Sequence, residues 1–205
     1  MGLGGKIALG CGGLLLALVL VLGLGMMGSY NGLISLSQAV DAQWGQVENV
    51  YQRRADLVPN LVETVKGAAA FEKNTFTAVT EARAKVGQVN LGGKAPVSTE
   101  AMAGFQKAQE GLGSALSRLL VVVEKYPELK ATQNFRDLQA QLEGTENRIA
   151  VERMRFNQAA QAFNTRRNSF PTMLLAGFFG ERFRERAYFK AQAGAETAPK
   201  VNFTP

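Results

Sequence analysis

Residues 135–163 read FRDLQAQLEGTENRIAVERMRFNQAAQAF, and this stretch determines the expected fold class. Large apolar side chains recur at helical spacing through it, and small or polar residues fill the alternate positions of the same stripe. A stripe kept over four heptads is typical of a long helix that packs against neighbouring helices. Its apolar members are Phe135, Leu138, Leu142, Ile149, Phe156 and Phe163, and the alternate members are Thr145, Glu152 and Ala159.

Stretches with the same period lie upstream, at residues 33–61, 61–86 and 102–123, and strand-like alternation is almost absent. Because the loops between the stretches are short, successive helices should be antiparallel. The sequence therefore predicts an all-α protein with an elongated antiparallel helical bundle over residues 29–170. At Pro59 the first stripe is interrupted. Either a new helix starts there, with Asp56 as its cap, or the proline only kinks a continuous helix.

The N-terminal residues 7–27 contain no charged side chain. As a helix they would be about 31 Å long, which matches the hydrocarbon core of a bilayer. The apolar region of a cleaved signal peptide is shorter and ends at a small-x-small site, whereas this one ends in Gly25-Met26-Met27-Gly28. We therefore expect residues 1–28 to be a retained transmembrane anchor.

The basic residues around this anchor predict its orientation. Lys6 precedes the apolar run, and the first basic residue after it is Arg53. By the positive-inside rule, the short N-terminus should be cytoplasmic and the bundle should lie on the opposite side of the membrane.

Beyond Pro171 the sequence becomes rich in aromatic and basic residues. Residues 171–190 are predicted to be an amphipathic segment that contacts the membrane surface. The alternative is that its phenylalanines cap one end of the bundle. Residues 191–205 are small and polar, and are expected to form a disordered tail. The predicted membrane contacts are Phe178, Phe179, Arg182, Phe183, Arg186 and Phe189.

The chain has no histidine, and its only cysteine, Cys11, lies inside the apolar run. Histidine-dependent catalytic triads are therefore impossible, and the commonest transition-metal ligand is missing. Glu143 and Glu146 have the spacing of carboxylate metal sites in bundles, but the histidine partner of such sites is absent. The net charge of +6 is dispersed, without the basic patch of a nucleic-acid-binding protein. We expect no enzyme activity, no cofactor and no nucleic-acid partner.

Residues 53–67 read RRADLVPNLVETVKG, and ordered shorter matches accompany them, among them Tyr126-Pro127, Phe156-Asn157 and Phe163-Asn164. This pattern resembles the signature of the LemA family of bacterial membrane proteins, and the resemblance covers residue 29 to about residue 190. It implies an N-terminal anchor followed by a four-helix bundle. Together with the orientation predicted from the basic residues, we expect a single-pass protein of a bacterial inner (cytoplasmic) membrane, with the domain periplasmic or otherwise extracytoplasmic. It implies no activity, because the family has no agreed biochemical function.

These observations predict a membrane-anchored helical scaffold or interaction protein without catalytic activity. Its expected partners are the lipid bilayer, further copies of itself and other membrane proteins. The alternative is a metal-handling or hydrolytic accessory protein that uses bundle carboxylates. The predicted interaction surface consists of the motif residues Arg53, Arg54, Asp56, Asn60 and Lys66.

Two contacts follow from the helical phases. Trp44 borders an apolar stripe and should be buried. Glu152 falls on the core-facing stripe and needs a cation, because an unpaired buried carboxylate costs several kcal/mol. Counting along antiparallel helices predicts Arg83 as that cation, with Arg148 or Arg155 on the same helix as the alternative and Arg54 far away.

Overall fold

The computed structural model describes residues 3–67, 72–89 and 93–191, with side chains from residue 12 onward. Within these ranges helices are the only regular elements, which confirms the all-α fold. They are α1 (Leu3–Lys66), α2 (Lys73–Gln88), α3 (Thr99–Val123), α4 (Pro127–Lys130), α5 (Gln133–Asn168), α6 (Thr172–Phe178) and a 3-10 turn (Gly180–Phe183).

The first helix continues through Pro59 without a break. A proline has no amide hydrogen, so the carbonyl of Ala55 loses its helical donor. Arg83 of α2 replaces that donor, because its Nε donates to the Ala55 carbonyl oxygen over 3.0 Å. The proline is thus accommodated inside α1 by a hydrogen bond from a neighbouring helix.

Two different environments follow one another along α1. From Leu14 to Met27 the apolar side chains are exposed. By length and composition this part is able to cross a membrane. Ser29 and Leu33 are already buried against other elements. We call the end of the bundle beside Leu33 the proximal end and the end beside Lys66 the distal end.

The bundle is formed chiefly by α1 packed along α5 and by α2 packed along α3. In the proximal half, Trp44 is fully buried, as predicted. Its ring centroid lies 5.1 Å from that of Phe105, 5.5 Å from that of Phe156 and 6.1 Å from that of Phe189. A second apolar cluster fills the distal half around Leu61, with residues of α2, α3 and α5.

The prediction that Glu152 pairs with Arg83 is wrong. Glu152 accepts a hydrogen bond from Gln43 Nε2 over 2.6 Å, and Arg155 Nη1 lies 2.8 Å from its other oxygen. The same-helix alternative is therefore confirmed. As predicted, Arg54 is not its partner, because Arg54 bonds to Glu146 instead.

The positions of the helix ends explain this error. Helix α2 begins only at Lys73, so Arg83 lies ten residues, or about 15 Å, from its start. Gln43 marks the level of Glu152 on α1 and lies about 35 Å from the distal end of that helix at Lys66. The predicted register assumed that the helix containing Arg83 begins earlier in the chain than Lys73, where α2 in fact begins.

The predicted amphipathic segment, residues 171–190, contains α6, the 3-10 turn and a stretch without regular structure. After α6 and the 3-10 turn, residues 184–191 form no regular element. Arg186 bonds to Asn164 and Phe189 bonds to Asn157, so the three-residue step between them spans two helical turns of α5, and the chain is extended and runs away from the proximal end. Of the predicted disordered tail, residues 191–205, all but residue 191 lie outside the described residues.

Candidate functional site

The motif residue Arg54 lies in the interior of the bundle and not on its surface, which corrects the predicted interaction surface. Only 4% of the residue is exposed, because its position falls on the core-facing stripe of α1. Its Nη1 donates to Glu146 Oε1 of α5 over 2.8 Å. Its Nη2 donates to the carbonyl and to the Oε1 of Gln109 of α3, over 3.0 Å and 2.6 Å. One guanidinium therefore joins α1 to both α3 and α5.

Arg54 and Pro59 are the two motif residues at which α1 is bonded to other helices. Arg54 links α1 to α3 and α5, while the carbonyl freed by Pro59 links α1 to α2 through Arg83. The motif is thus the place where α1 is bonded to every long helix of the bundle. Both residues therefore have a structural role, whereas the sequence pattern placed Arg54 on an interaction surface and left open whether Pro59 breaks or kinks the helix.

A cavity of about 510 Å³ lies beside Arg54, between α3 and α5. Its charged lining consists of two arginines and three glutamates: Arg54, Arg153, Glu110, Glu143 and Glu146. Burial raises the pKa of the neighbouring Tyr51 hydroxyl, and the positive charges of Arg153 and Arg54 oppose that rise. In the described part of the chain, no three acidic or cysteine side chains lie together as a metal site would require.

The other four residues of the predicted interaction surface are exposed on α1. They are Arg53, Asp56, Asn60 and Lys66. Asp56 accepts a hydrogen bond from Gln52 Nε2 over 2.7 Å, and Lys66 lies 3.5 Å from Glu63. These contacts are made within one helix. Because α1 does not break at Pro59, Asp56 caps no helix. We call Arg53, Asp56, Asn60 and Lys66 the distal polar surface, since it lies toward the distal end of the bundle.

The six predicted membrane contacts divide into two groups. Phe178, Phe179 and Arg182 are exposed. The other three, Phe183, Arg186 and Phe189, pack into the bundle, as the alternative interpretation proposed for the phenylalanines. Arg186 Nη2 donates to Ser37 Oγ over 2.7 Å, and the guanidinium lies 5.4 Å from the ring centroid of Phe163.

Side-chain amides hold the extended segment 184–191 in place, and the sequence reasoning missed them. Asn164 donates to the carbonyl of Arg186 and accepts from its amide, each over 2.9 Å. Asn157 makes the same pair of bonds with Phe189, over 3.0 Å and 2.9 Å.

The spacing of these asparagines matches the segment that they hold. Seven residues of helix rise about 10.5 Å, and three residues of extended chain span about 10 Å. The asparagines are seven residues apart, and their partners are three residues apart. The repeated Phe-Asn pairs at 156–157 and 163–164 were the available signal: the phenylalanine is core, and the asparagine after it binds the segment.

Comparisons with known proteins cover most of the chain. The profile of the LemA family matches residues 43–203. Magnetosome protein MamQ 1 and magnetosome protein MamQ 2 of Paramagnetospirillum magneticum are each 28% identical over 184 residues, covering 82% of this chain and 67% of each relative. Magnetosome protein MamQ of Magnetospirillum gryphiswaldense is 27% identical over 184 residues, with the same coverage.

Proposed function

Because the chain belongs to the LemA family, we propose that it is a membrane-anchored scaffold that binds copies of itself and other membrane proteins. Family membership and the exposed apolar run at the start of α1 indicate a membrane-associated protein. The finer proposal is a single pass through a bacterial inner membrane, with the N-terminus cytoplasmic and the bundle extracytoplasmic. No catalytic step is assigned to it.

The continuity of α1 carries this proposal. The same helix that contains the apolar run supplies the buried residues Leu33, Trp44 and Leu61 of the bundle. A flexible linker would let the bundle sample many orientations above the membrane. A continuous helix instead holds the distal polar surface at a fixed height and direction, as a docking scaffold requires.

The distal polar surface is the proposed contact for protein partners. Its side chains bind no other helix in the described structure, so a partner can reach them without opening the bundle. Confinement of all copies to one membrane raises their effective concentration, which favours association through modest contacts.

Cysteine cross-linking of the full-length protein in lipid nanodiscs tests the self-association. In a Cys11→Ser background, a cysteine at exposed Asn60 reports on the distal polar surface, and one at exposed Gln133 is the matched control on α5. We expect covalent dimers from Asn60→Cys and few from Gln133→Cys. Monomers for both variants, together with a monomeric mass in several detergents, would overturn the proposal.

A further inference from the structure

A short helix at the proximal end of the bundle is apolar on both of its faces. Helix α6 has the sequence TMLLAGF and contains no charged residue. Thr172, Leu175 and Ala176 are buried against the bundle. On the opposite face, large apolar side chains are exposed at helical spacing. They are Phe170 just before the helix, then Met173, Leu174 and Phe178, with Phe178 84% exposed. We call these four residues the proximal apolar surface.

A surface of this composition requires a covering medium, because soluble proteins rarely expose several large apolar side chains together. In the described structure nothing covers it. A helix that is apolar all round is normally buried in protein or in lipid.

The position of this surface along α1 identifies the medium. The ring centroid of Tyr30 lies 5.3 Å from that of Phe179 and 5.5 Å from that of Phe183. Tyr30 follows the last exposed apolar residue of the run, Met27, by three residues, or about 4.5 Å of helix. The turn after α6 is therefore packed against α1 within one helical turn of the end of the apolar run.

The charges around α6 fit the surface of an anionic bilayer. Arg182 is exposed, and its guanidinium lies 5.7 Å from the ring centroid of Tyr30. Four arginines and two glutamates flank α6, which gives a local net charge of +2: Arg166, Arg167, Arg182, Arg184, Glu181 and Glu185. Aromatic rings and arginines are typical of the interfacial region of a membrane, where the ring body is in the acyl boundary and the cation meets headgroups.

We propose that the proximal apolar surface is embedded in the interfacial layer of the bilayer that α1 crosses, with Arg182 among anionic lipid headgroups. The inference rests on the proposed function, because it needs α1 to be inserted. It gives the bundle a second attachment to the membrane beside the helix, and so fixes the tilt of the bundle as well as its height.

Tryptophan quenching by brominated lipids tests this attachment. The full-length protein, as Trp44→Phe with Phe178→Trp, is reconstituted into phosphatidylcholine–phosphatidylglycerol vesicles whose acyl chains carry bromine. We expect blue-shifted emission and strong quenching. Trp44→Phe with Val121→Trp is the matched control, since Val121 is a similarly exposed apolar residue near the distal end of α3, and its emission should be unquenched. Phe178→Trp with Trp44 retained guards against loss of folding, and should add a quenchable component.

Each outcome decides between the two proposals. If the protein resists carbonate extraction but the indole introduced at Phe178 is red-shifted and unquenched, the docking inference is overturned and the anchor stands. Blue-shifted but unquenched emission means that protein, such as a second copy, covers the surface, and also overturns it. Release of the protein by carbonate overturns the anchor and, with it, the docking.

Discussion

At the scale of single residues, Arg54 places a charge in the interior of the bundle, where a charge is costly unless its hydrogen bonds are satisfied. Glu146 and Gln109 supply acceptors from two different helices. Because the side chain of Glu146 is 51% exposed, water screens part of the attraction. The Arg54–Glu146 pair therefore contributes less to the free energy of unfolding than a fully buried ion pair would, but more than a pair on the surface.

A double-mutant cycle with Arg54→Met and Glu146→Ala measures that contribution. We expect a coupling energy of about 1–3 kcal/mol in urea unfolding, because Glu146→Ala leaves the guanidinium buried with one acceptor fewer. The control cycle on the exposed pair of Glu63 and Lys66 should give about 0.5 kcal/mol or less. Equal coupling in the two cycles would show that Arg54 does not depend on Glu146.

The buried Tyr51 predicts a loss of stability at high pH. Burial raises the pKa of its hydroxyl above the ordinary value near 10. The folded state therefore keeps a proton that the unfolded state releases. The resulting stability is complete below about pH 10 and is lost as the pH rises through the folded pKa. Urea unfolding between about pH 8 and pH 11 should show this decline, and Tyr51→Phe should make it shallower. An identical decline in the variant would contradict the assignment.

At the scale of elements, the hydrogen bond between Arg83 and Ala55 compensates for Pro59, and the two should be energetically coupled. Arg83→Met should reduce the free energy of unfolding by about 1–2 kcal/mol, since it orphans a buried carbonyl. In a Pro59→Ala background the helix supplies its own donor, so the same substitution should cost much less. Lys85→Met, at an exposed position on the same helix, is the control and should have little effect in either background. An equal cost for Arg83→Met in both backgrounds would refute the compensation.

The extended segment 184–191 depends on the asparagines of α5. Asn157→Ala with Asn164→Ala removes four hydrogen bonds to its backbone, each worth about 1 kcal/mol. Tryptic cleavage after Arg186 and Lys190 should accelerate roughly tenfold or more, because the segment opens more often. Gln161→Ala, between the two asparagines on the same helix, should leave the rate unchanged. Cleavage of the double variant at the wild-type rate would mean that apolar packing alone holds the segment.

At the scale of the whole molecule, the sequence predicted what depends on periodicity. The apolar run, the bundle and the buried Trp44 all follow from spacing along single helices. Spacing along α1 could not predict that the helix continues through Pro59, because that continuity depends on a hydrogen bond from α2. The path of residues 184–191 could not be predicted from spacing either, since aromatic and basic residues are suited both to a membrane surface and to a groove between helices. The prediction that Glu152 pairs with Arg83 was wrong because the register between helices depends on the residues at which each helix begins and ends.

We propose that one rigid helix crosses the membrane and enters the core of the bundle. Pulsed electron spin resonance on the full-length protein in nanodiscs tests this directly, with spin labels at exposed Val19 and Arg53 in a Cys11→Ser background. The labelled protein is diluted with unlabelled protein, so that only label pairs within one copy are measured. A continuous helix separates these positions by 34 residues, or about 51 Å. We expect a single narrow distance distribution near that value. A broad or markedly shorter distribution would show a hinge between the anchor and the bundle, and a rigid continuous helix would then be ruled out.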